Sequence, residues 1–106
     1  MLIELREYTV RPGKRDAWVK MMEEEIIPFQ IQNGIVVLGS WAVEDDEGVY
    51  IWMRRFEDEA DRVKKYEAVY ESDHWKNNLL PRVVELVDRE KHRVKRLIGT
   101  KMSPIR

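Results

Sequence analysis

Ionisable and aromatic side chains alternate along two short segments of this chain, and together they could form a binding site. The residues are Glu4, Arg6 and Tyr8 in the first segment, and Tyr50, Trp52, Arg54 and Phe56 in the second. Successive side chains of a β-strand point to opposite faces of the sheet, so each set would lie on one face. A solvated face rarely carries so many large rings, and a dry core rarely holds Glu and Arg unpaired. These residues, which we call the mixed face, predict the wall of a partly enclosed space.

The mixed face indicates a ligand chemistry. Arg6 and Arg54 are predicted to hold a carboxylate or phenolate, because a guanidinium makes planar, bidentate contacts, and Glu4 would orient them. A predicted stacking surface for a flat ligand consists of Tyr8, Trp41 and Trp52. Structural alternatives stay open: the Glu–Arg pair would only hold strand register, and the rings would be core or dimer contacts.

His74 is the candidate catalytic residue, as a general base or as an axial haem ligand. The alternative is a solvent-facing residue in the first turn of a helix. The spacing Glu71-x-x-His74 suits a metal, but the chain has two histidines and no cysteines. We therefore predict no metal site and no cofactor, with haem as the alternative. The second histidine, His92, is predicted to be exposed or in an interface on the last strand.

Composition argues against several classes of function. The net charge of the 106 residues is −1, whereas nucleic-acid binders usually have a clear positive excess. No apolar run approaches the length of a membrane span, and no signal peptide is recognisable. With 43% hydrophobic and 37% charged residues, residues 1–106 are expected to form one small cytoplasmic domain.

Hydrophobic periodicity predicts the element order β-α-β-β-α-β. Strands are predicted over residues 2–10, 35–43, 49–56 and about 91–98, the second of them buried on both faces. The first helix would end between Pro28 and Gly34, and Gly34 would form a left-handed cap. The second helix would begin at the N-cap Asp58, and a new helical segment would begin from Ser72. This order is the ferredoxin-like α+β arrangement, a four-stranded antiparallel sheet with helices on one face.

Helices can cover only one face of such a sheet. We expect the mixed face to be the bare one and the opposite, apolar face to be core. The apolar face consists of Ile3, Leu5, Val49, Ile51 and Met53. Large exposed apolar surfaces are rarely left bare, and a second copy related by a two-fold axis is the simplest cover. The chain is therefore predicted to be a homodimer that pairs sheet to sheet into an α/β barrel, with a cavity in each half.

Several segments resemble the NIPSNAP family, over about residues 2–98. These are Ile3-Glu4-Leu5-Arg6-Glu7-Tyr8-Thr9-Val10 followed by Pro12-Gly13-Lys14, the strand Tyr50-Ile51-Trp52-Met53-Arg54-Arg55-Phe56, and Tyr70-Glu71-Ser72-Asp73-His74-Trp75-Lys76-Asn77. The family is similar to the dimeric α/β-barrel superfamily, which includes cofactor-independent quinone-forming monooxygenases and haem-degrading enzymes. The resemblance therefore implies the same fold and dimer, although many family members carry a His where this chain has Trp52.

These observations predict a homodimer that binds a small, flat, anionic organic molecule in a cavity between sheet and helices. If the protein is an enzyme, which the sequence does not decide, the expected chemistry is oxygen addition to an activated aromatic or its isomerisation. The alternatives are a non-catalytic dimer that senses a metabolite or docks a protein, and a haem-binding protein. No nucleic-acid or membrane partner is expected.

Overall fold

The computed structural model describes all 106 residues and has the predicted ferredoxin-like architecture. The strands are β1 (Leu2–Val10), β2 (Val36–Val43), β3 (Asp46–Phe56) and β4 (Val87–Leu97). They form one antiparallel sheet in the order β2-β3-β1-β4. The helices are α1 (Arg15–Met21), α2 (Ile27–Gln32), α3 (Glu59–Tyr70) and α4 (Leu80–Leu86). None of them is long and apolar enough to cross a membrane.

Two wider, π-helical segments adjoin α-helices in the helical layer. They cover Met22–Ile26, before α2, and His74–Leu79, before α4. Each ends two residues before a proline, Pro28 or Pro81. A proline donates no backbone hydrogen bond and its ring crowds the preceding turn, so a locally widened coil relieves both conflicts. The first helical region consequently continues past Pro28 to Gln32, within the predicted range for its end.

The predicted helix ends are confirmed at two places. Gly34 follows α2 with φ of 84°, a left-handed conformation that suits glycine. The Asp58 carboxylate accepts a hydrogen bond of 2.8 Å from the backbone N–H of Asp61. Asp61 in turn accepts one of 2.9 Å from the N–H of Glu57, so α3 begins with a reciprocal carboxylate cap.

Strand boundaries and the burial of β2 differ from the prediction. Strand β3 begins at Asp46 rather than at residue 49, which leaves a two-residue turn at Glu44 and Asp45. Strand β4 begins at Val87, directly after α4, instead of near residue 91. Strand β2 was expected to be buried on both faces, but it is an edge strand of exposed and half-buried residues. Its continuous apolar run reflects an uncovered face, not double burial.

The helices pack on the mixed face, so the predicted roles of the two faces were reversed. The mixed face carries Glu4, Tyr8, Tyr50, Trp52, Arg54 and Phe56, all of which are buried. Rings of this face pack with Trp18, Met22, Ile26, Leu79 and Val83 from the helical layer. On the apolar face, Leu5, Val49, Ile51 and Met53 remain partly exposed. The large rings are buried because they fill the deep space under the helices, and the charged groups satisfy each other there.

Candidate functional site

A buried ion pair lies at the centre of the mixed face. Glu4 of β1 is the register partner of Arg54 of β3, and the Arg54 Nη2 to Glu4 Oε1 distance is 2.6 Å. Glu4 is 3% exposed and Arg54 is 0% exposed. Strand pairing places the two side chains on the same face, and burial strengthens their attraction because water is excluded.

Polar groups from the helices bind the two terminal nitrogens of Arg54, whereas its Nε is buried without a partner. Arg54 Nη1 donates to Gln30 Oε1 and to the Tyr70 hydroxyl, both at 2.9 Å, and Nη2 donates to the Tyr66 hydroxyl at 2.5 Å. The Tyr66 hydroxyl also lies 2.8 Å from each carboxylate oxygen of Glu4. Arg54 thus directs its terminal nitrogens to protein groups, which favours the structural alternative for its role.

The ionisation of this network follows from its burial and its charges. Burial raises the pKa of Glu4, but attraction to Arg54 and hydrogen bonds from Tyr66 and Arg54 outweigh it and leave the pKa below its usual value. Burial raises the pKa of Tyr66 to about 12, against the opposing effect of Arg54 and Arg6. Tyr66 is therefore a neutral hydroxyl that donates to Glu4 at physiological pH.

Arg6 connects the buried network to a cavity. Its Nε donates to the Tyr8 hydroxyl at 2.7 Å, and its Nη1 donates to the Tyr66 hydroxyl at 3.0 Å. Nη1 also lies 3.6 Å from Glu4 Oε1. The guanidinium is thereby held in one orientation, with its Nη2 left for another acceptor. Tyr8 and Tyr66 therefore hold Arg6 by hydrogen bonds, and Glu4 attracts it at a longer distance. The orienting role expected of Glu4 stays a prediction.

The cavity lies between the sheet and the helical layer and has a volume of about 40 Å³. Its walls include Arg6, Tyr8 and Trp52 from the sheet and Trp18, Met22, Ile26, Tyr70, Trp75 and Val83 from the helical layer. Arg89 and His92 of β4 complete the lining. A water-sized group needs roughly 10–15 Å³. The cavity therefore accepts about three such groups, which is the size of a ligand's polar head and not of a whole ring system.

Two residues of the cavity wall carry hydrogen-bond donors without partners. The indole nitrogens of Trp18 and Trp52 are buried and have no hydrogen-bond partner, although each side chain is only 1% exposed. An unsatisfied buried donor costs about 1–3 kcal/mol. Both tryptophans line the cavity beside Arg6, so a ligand acceptor that reaches their indole nitrogens would remove that cost.

His92 is half-buried and is part of the cavity wall, a position that the predicted exposed or interface location did not include. Its ring stacks on Tyr8 with centroids 3.7 Å apart and an interplanar angle of 16°. Burial lowers the pKa of His92 to about 4, and the neighbouring charges of Arg6 and Arg89 act in the same direction. His92 is therefore neutral at physiological pH, and nothing in the spacing of the basic last strand pointed to this position.

The predicted ligand-binding residues fall into three groups. Arg6, Tyr8 and Trp52 line the cavity together. Glu4 and Arg54 lie behind it in the buried network and do not line it. Trp41 is 48% exposed on the other face of the sheet, since it is the register partner of Ile51. The prediction that Trp41 shares a face with Tyr8 and Trp52 was therefore wrong. The pairing register of this edge strand shifts at each bulge, which changes the face on which a side chain lies.

His74 is separate from the cavity. It is exposed at the start of the second π-helical segment, its ring lies edge-on to Phe29 with centroids 4.7 Å apart, and its Nδ1 is 3.2 Å from the Asn78 amide. These contacts agree with the solvent-facing alternative. Trp18, which the helical pattern assigned to the core, is buried there and is also a cavity residue that the sequence did not single out.

The strand order, the antiparallel pairing and the helices on one face define an α+β fold of the ferredoxin-like type. The chain belongs to the NIPSNAP family, whose family model matches residues 3–104. Among curated proteins, none matches this chain.

Solved structures agree with this assignment. A NIPSNAP family protein from Agrobacterium tumefaciens is 26% identical, with a TM-score of 0.86 over 99% of this chain and 98% of its own. A second protein from that organism, a NIPSNAP family protein with unknown function, is 22% identical with a TM-score of 0.88, over 100% and 94% of the two chains. A putative antibiotic biosynthesis monooxygenase from Nitrosomonas europaea is 13% identical with a TM-score of 0.69, over 93% and 98%, and shares the fold.

Proposed function

We propose that this protein binds a small, flat, anionic organic molecule, whose acceptor-rich head enters the cavity between sheet and helices. The observation that carries the proposal is the set of donors around this cavity: the free side of Arg6 and the unpartnered indole N–H groups of Trp18 and Trp52. A ligand whose oxygen acceptors reach these groups would satisfy all three.

The charge of the cavity wall supports an anion over a cation. Arg6 and Arg89 line it, and no Asp or Glu does. Glu4 lies near Arg6 but does not line the cavity, and its negative charge is largely offset by Arg54. The remaining wall is aromatic and aliphatic, which favours a flat apolar body attached to the charged head. Because the cavity holds only about three water-sized groups, that body would extend beyond the cavity or displace side chains.

The first test is a thermal-shift screen with aromatic acids, quinones, quinols and haem, in which a bound ligand raises the melting temperature by mass action. We expect an aromatic acid or quinol to stabilise the protein and Arg6→Met to abolish the effect. Arg62→Met is the matched control, because Arg62 has a similar side-chain exposure of 21%, against 16% for Arg6, and lies outside the cavity. A ligand that stabilises Arg6→Met as strongly as the wild type would contradict the proposal.

We further propose that the functional unit is a homodimer joined through the apolar face. The uncovered face carries half-buried Leu5, Ile51 and Met53 in its middle, and Val36 and Trp41 are 41% and 48% exposed at its edge. Burial of apolar surface contributes roughly 25 cal/mol per Å². A second copy is the self-complementary cover that a two-fold axis provides.

Ile51→Glu tests the dimer by placing a charge in the middle of the apolar face. We expect light scattering to give a dimer for the wild type and a monomer for this variant. Val63→Glu is the control, because Val63 is 41% exposed on α3, away from that face. A monomeric wild type at micromolar concentration would remove this part of the proposal, but not the ligand site.

A second candidate function is cofactor-independent oxygen addition to an electron-rich aromatic ligand. The fold shared with the putative monooxygenase from Nitrosomonas europaea and the neutral His92 in the cavity support it. In this chemistry the protein positions and ionises the substrate. Oxygen uptake with a quinol substrate would test it, and a ligand that binds without oxygen uptake would favour a non-catalytic sensor. A Soret band in purified protein would instead support haem binding through His74.

A further inference from the structure

A bulge in β4 brings two basic residues to the cavity. Glu7 pairs with Arg93 and Thr9 pairs with Asp88, so the segment from Arg89 to His92 lies opposite the single residue Tyr8. Bulges commonly redirect side chains next to functional sites. Here the extra residues allow exposed Arg89 and half-buried His92 both to reach the cavity wall from an edge strand.

The His92 ring presents a buried nitrogen without a partner. Its Nε2 has no hydrogen-bond partner, and its ring is fixed against Tyr8 by stacking. The charged groups around it are Arg6 on β1 and Arg89 and Asp88 on β4. The two guanidinium groups favour a lone pair on the buried nitrogen, since an N–H there would add a third positive dipole. His92 Nε2 is thus a buried, unpartnered acceptor in the wall of a cavity whose other unpartnered polar groups, the indole nitrogens of Trp18 and Trp52, are donors.

A simple carboxylate would satisfy the donors and leave this acceptor unpaired. Burying an unpaired polar group is costly, so the best ligand supplies a donor as well. We propose that the ligand head carries an acidic hydroxyl next to a second oxygen, as in a catechol, a hydroxyquinone or an enolised dicarbonyl, and that His92 Nε2 accepts the hydroxyl proton. This inference rests on the proposed function, because it concerns the same cavity.

The step is a proton transfer without a redox change. The ligand O–H bond breaks and leaves its electron pair on oxygen, and an N–H bond forms at Nε2. The phenolate or enolate then lies beside Arg6 and the indole N–H groups, which stabilise the negative charge. The new imidazolium gains the anion as a counter-charge, which offsets its proximity to Arg6 and Arg89. Binding and ionisation are therefore coupled, with no proton released to solvent.

Proton counting with 4-nitrocatechol tests this coupling. Calorimetric titrations in buffers of different ionisation enthalpy give the number of protons released per ligand bound. They are run at a pH about one unit below the solution pKa of the probe. Its visible absorption reports whether the bound probe is ionised. His92→Phe keeps an aromatic ring against Tyr8 and removes the acceptor, and His92→Gln is the second variant if the first does not fold. Benzoate, already an anion, and the dimethyl ether of 4-nitrocatechol are the control ligands.

We expect the wild type to bind 4-nitrocatechol as the anion with close to zero net proton release. The His92→Phe variant should release up to one proton per bound anion, or bind the probe tenfold or more weakly. Benzoate should bind both proteins alike. Equal proton release and affinity in wild type and variant would overturn the role of His92. Binding of benzoate but not of 4-nitrocatechol would overturn the ligand class and leave the proposed function standing. If neither ligand binds the wild type, the proposed function itself fails.

Discussion

Removing Arg54 from the centre of the sheet should be among the most damaging single substitutions in this protein. Arg54→Met deletes the hydrogen bonds to Glu4, Gln30, Tyr66 and Tyr70 and leaves the Glu4 carboxylate buried. Breaking a fully buried ion pair costs about 3–5 kcal/mol, because one charge loses its partner without regaining water. Arg6 lies 3.6 Å from Glu4 and offers partial compensation, so we expect a loss near the lower end of that range.

Urea denaturation followed by circular dichroism measures this loss, with protein concentration held fixed because of the proposed dimer. The control is Arg82→Met, which breaks the pair of Arg82 with Glu25 on the surface. Those side chains are 42% and 37% exposed, and such pairs contribute about 0–1 kcal/mol. The double variant Glu4→Met with Arg54→Met should be less destabilised than the sum of the single variants, since it leaves no buried charge unpaired. If Arg54→Met lowers the free energy of unfolding no more than Arg82→Met does, the buried network does not stabilise the sheet as we propose.

The remaining predictions concern pH and the first turn of α3. The pKa of His92 falls from 6.5 unfolded to about 4 folded, so its contribution to stability is complete above pH 6.5 and is lost as the pH falls from there towards 4. Allowing for the partial exposure of the ring, the loss should be on the order of 1–2 kcal/mol, and urea titrations across that range should show a flatter profile for His92→Phe. A profile unchanged by the substitution would argue against a buried neutral His92. Separately, Asp58→Ala should lower the free energy of unfolding by about 1 kcal/mol through loss of the cap on α3, whereas an unchanged value would show that the cap is dispensable.

The part of the site that was predictable came from residues on regular, central strands. Arg6, Tyr8 and Trp52 follow strict alternation on β1 and β3, and the structure brings them to one cavity. The residues that were misplaced lie where alternation breaks down. Trp41 is on an edge strand whose pairing shifts between Val37 and Gly39, and a one-residue shift moves a side chain to the opposite face. Functional roles for all of these residues remain predictions.

The amino-acid sequence by itself determined the family, the element order and the sets of side chains that share a strand face, because local periodicity and capping act over a few residues. Only the tertiary structure decided which face the helices cover, since both faces carry large apolar groups and either would be compatible with the pattern. It also decided that His92 and Arg89 meet Arg6, because this contact depends on a bulge in β4 and on its pairing with β1, a strand more than 75 residues away in the chain. Contacts between distant segments depend on the packing of the whole sheet, and no short stretch of sequence encodes them.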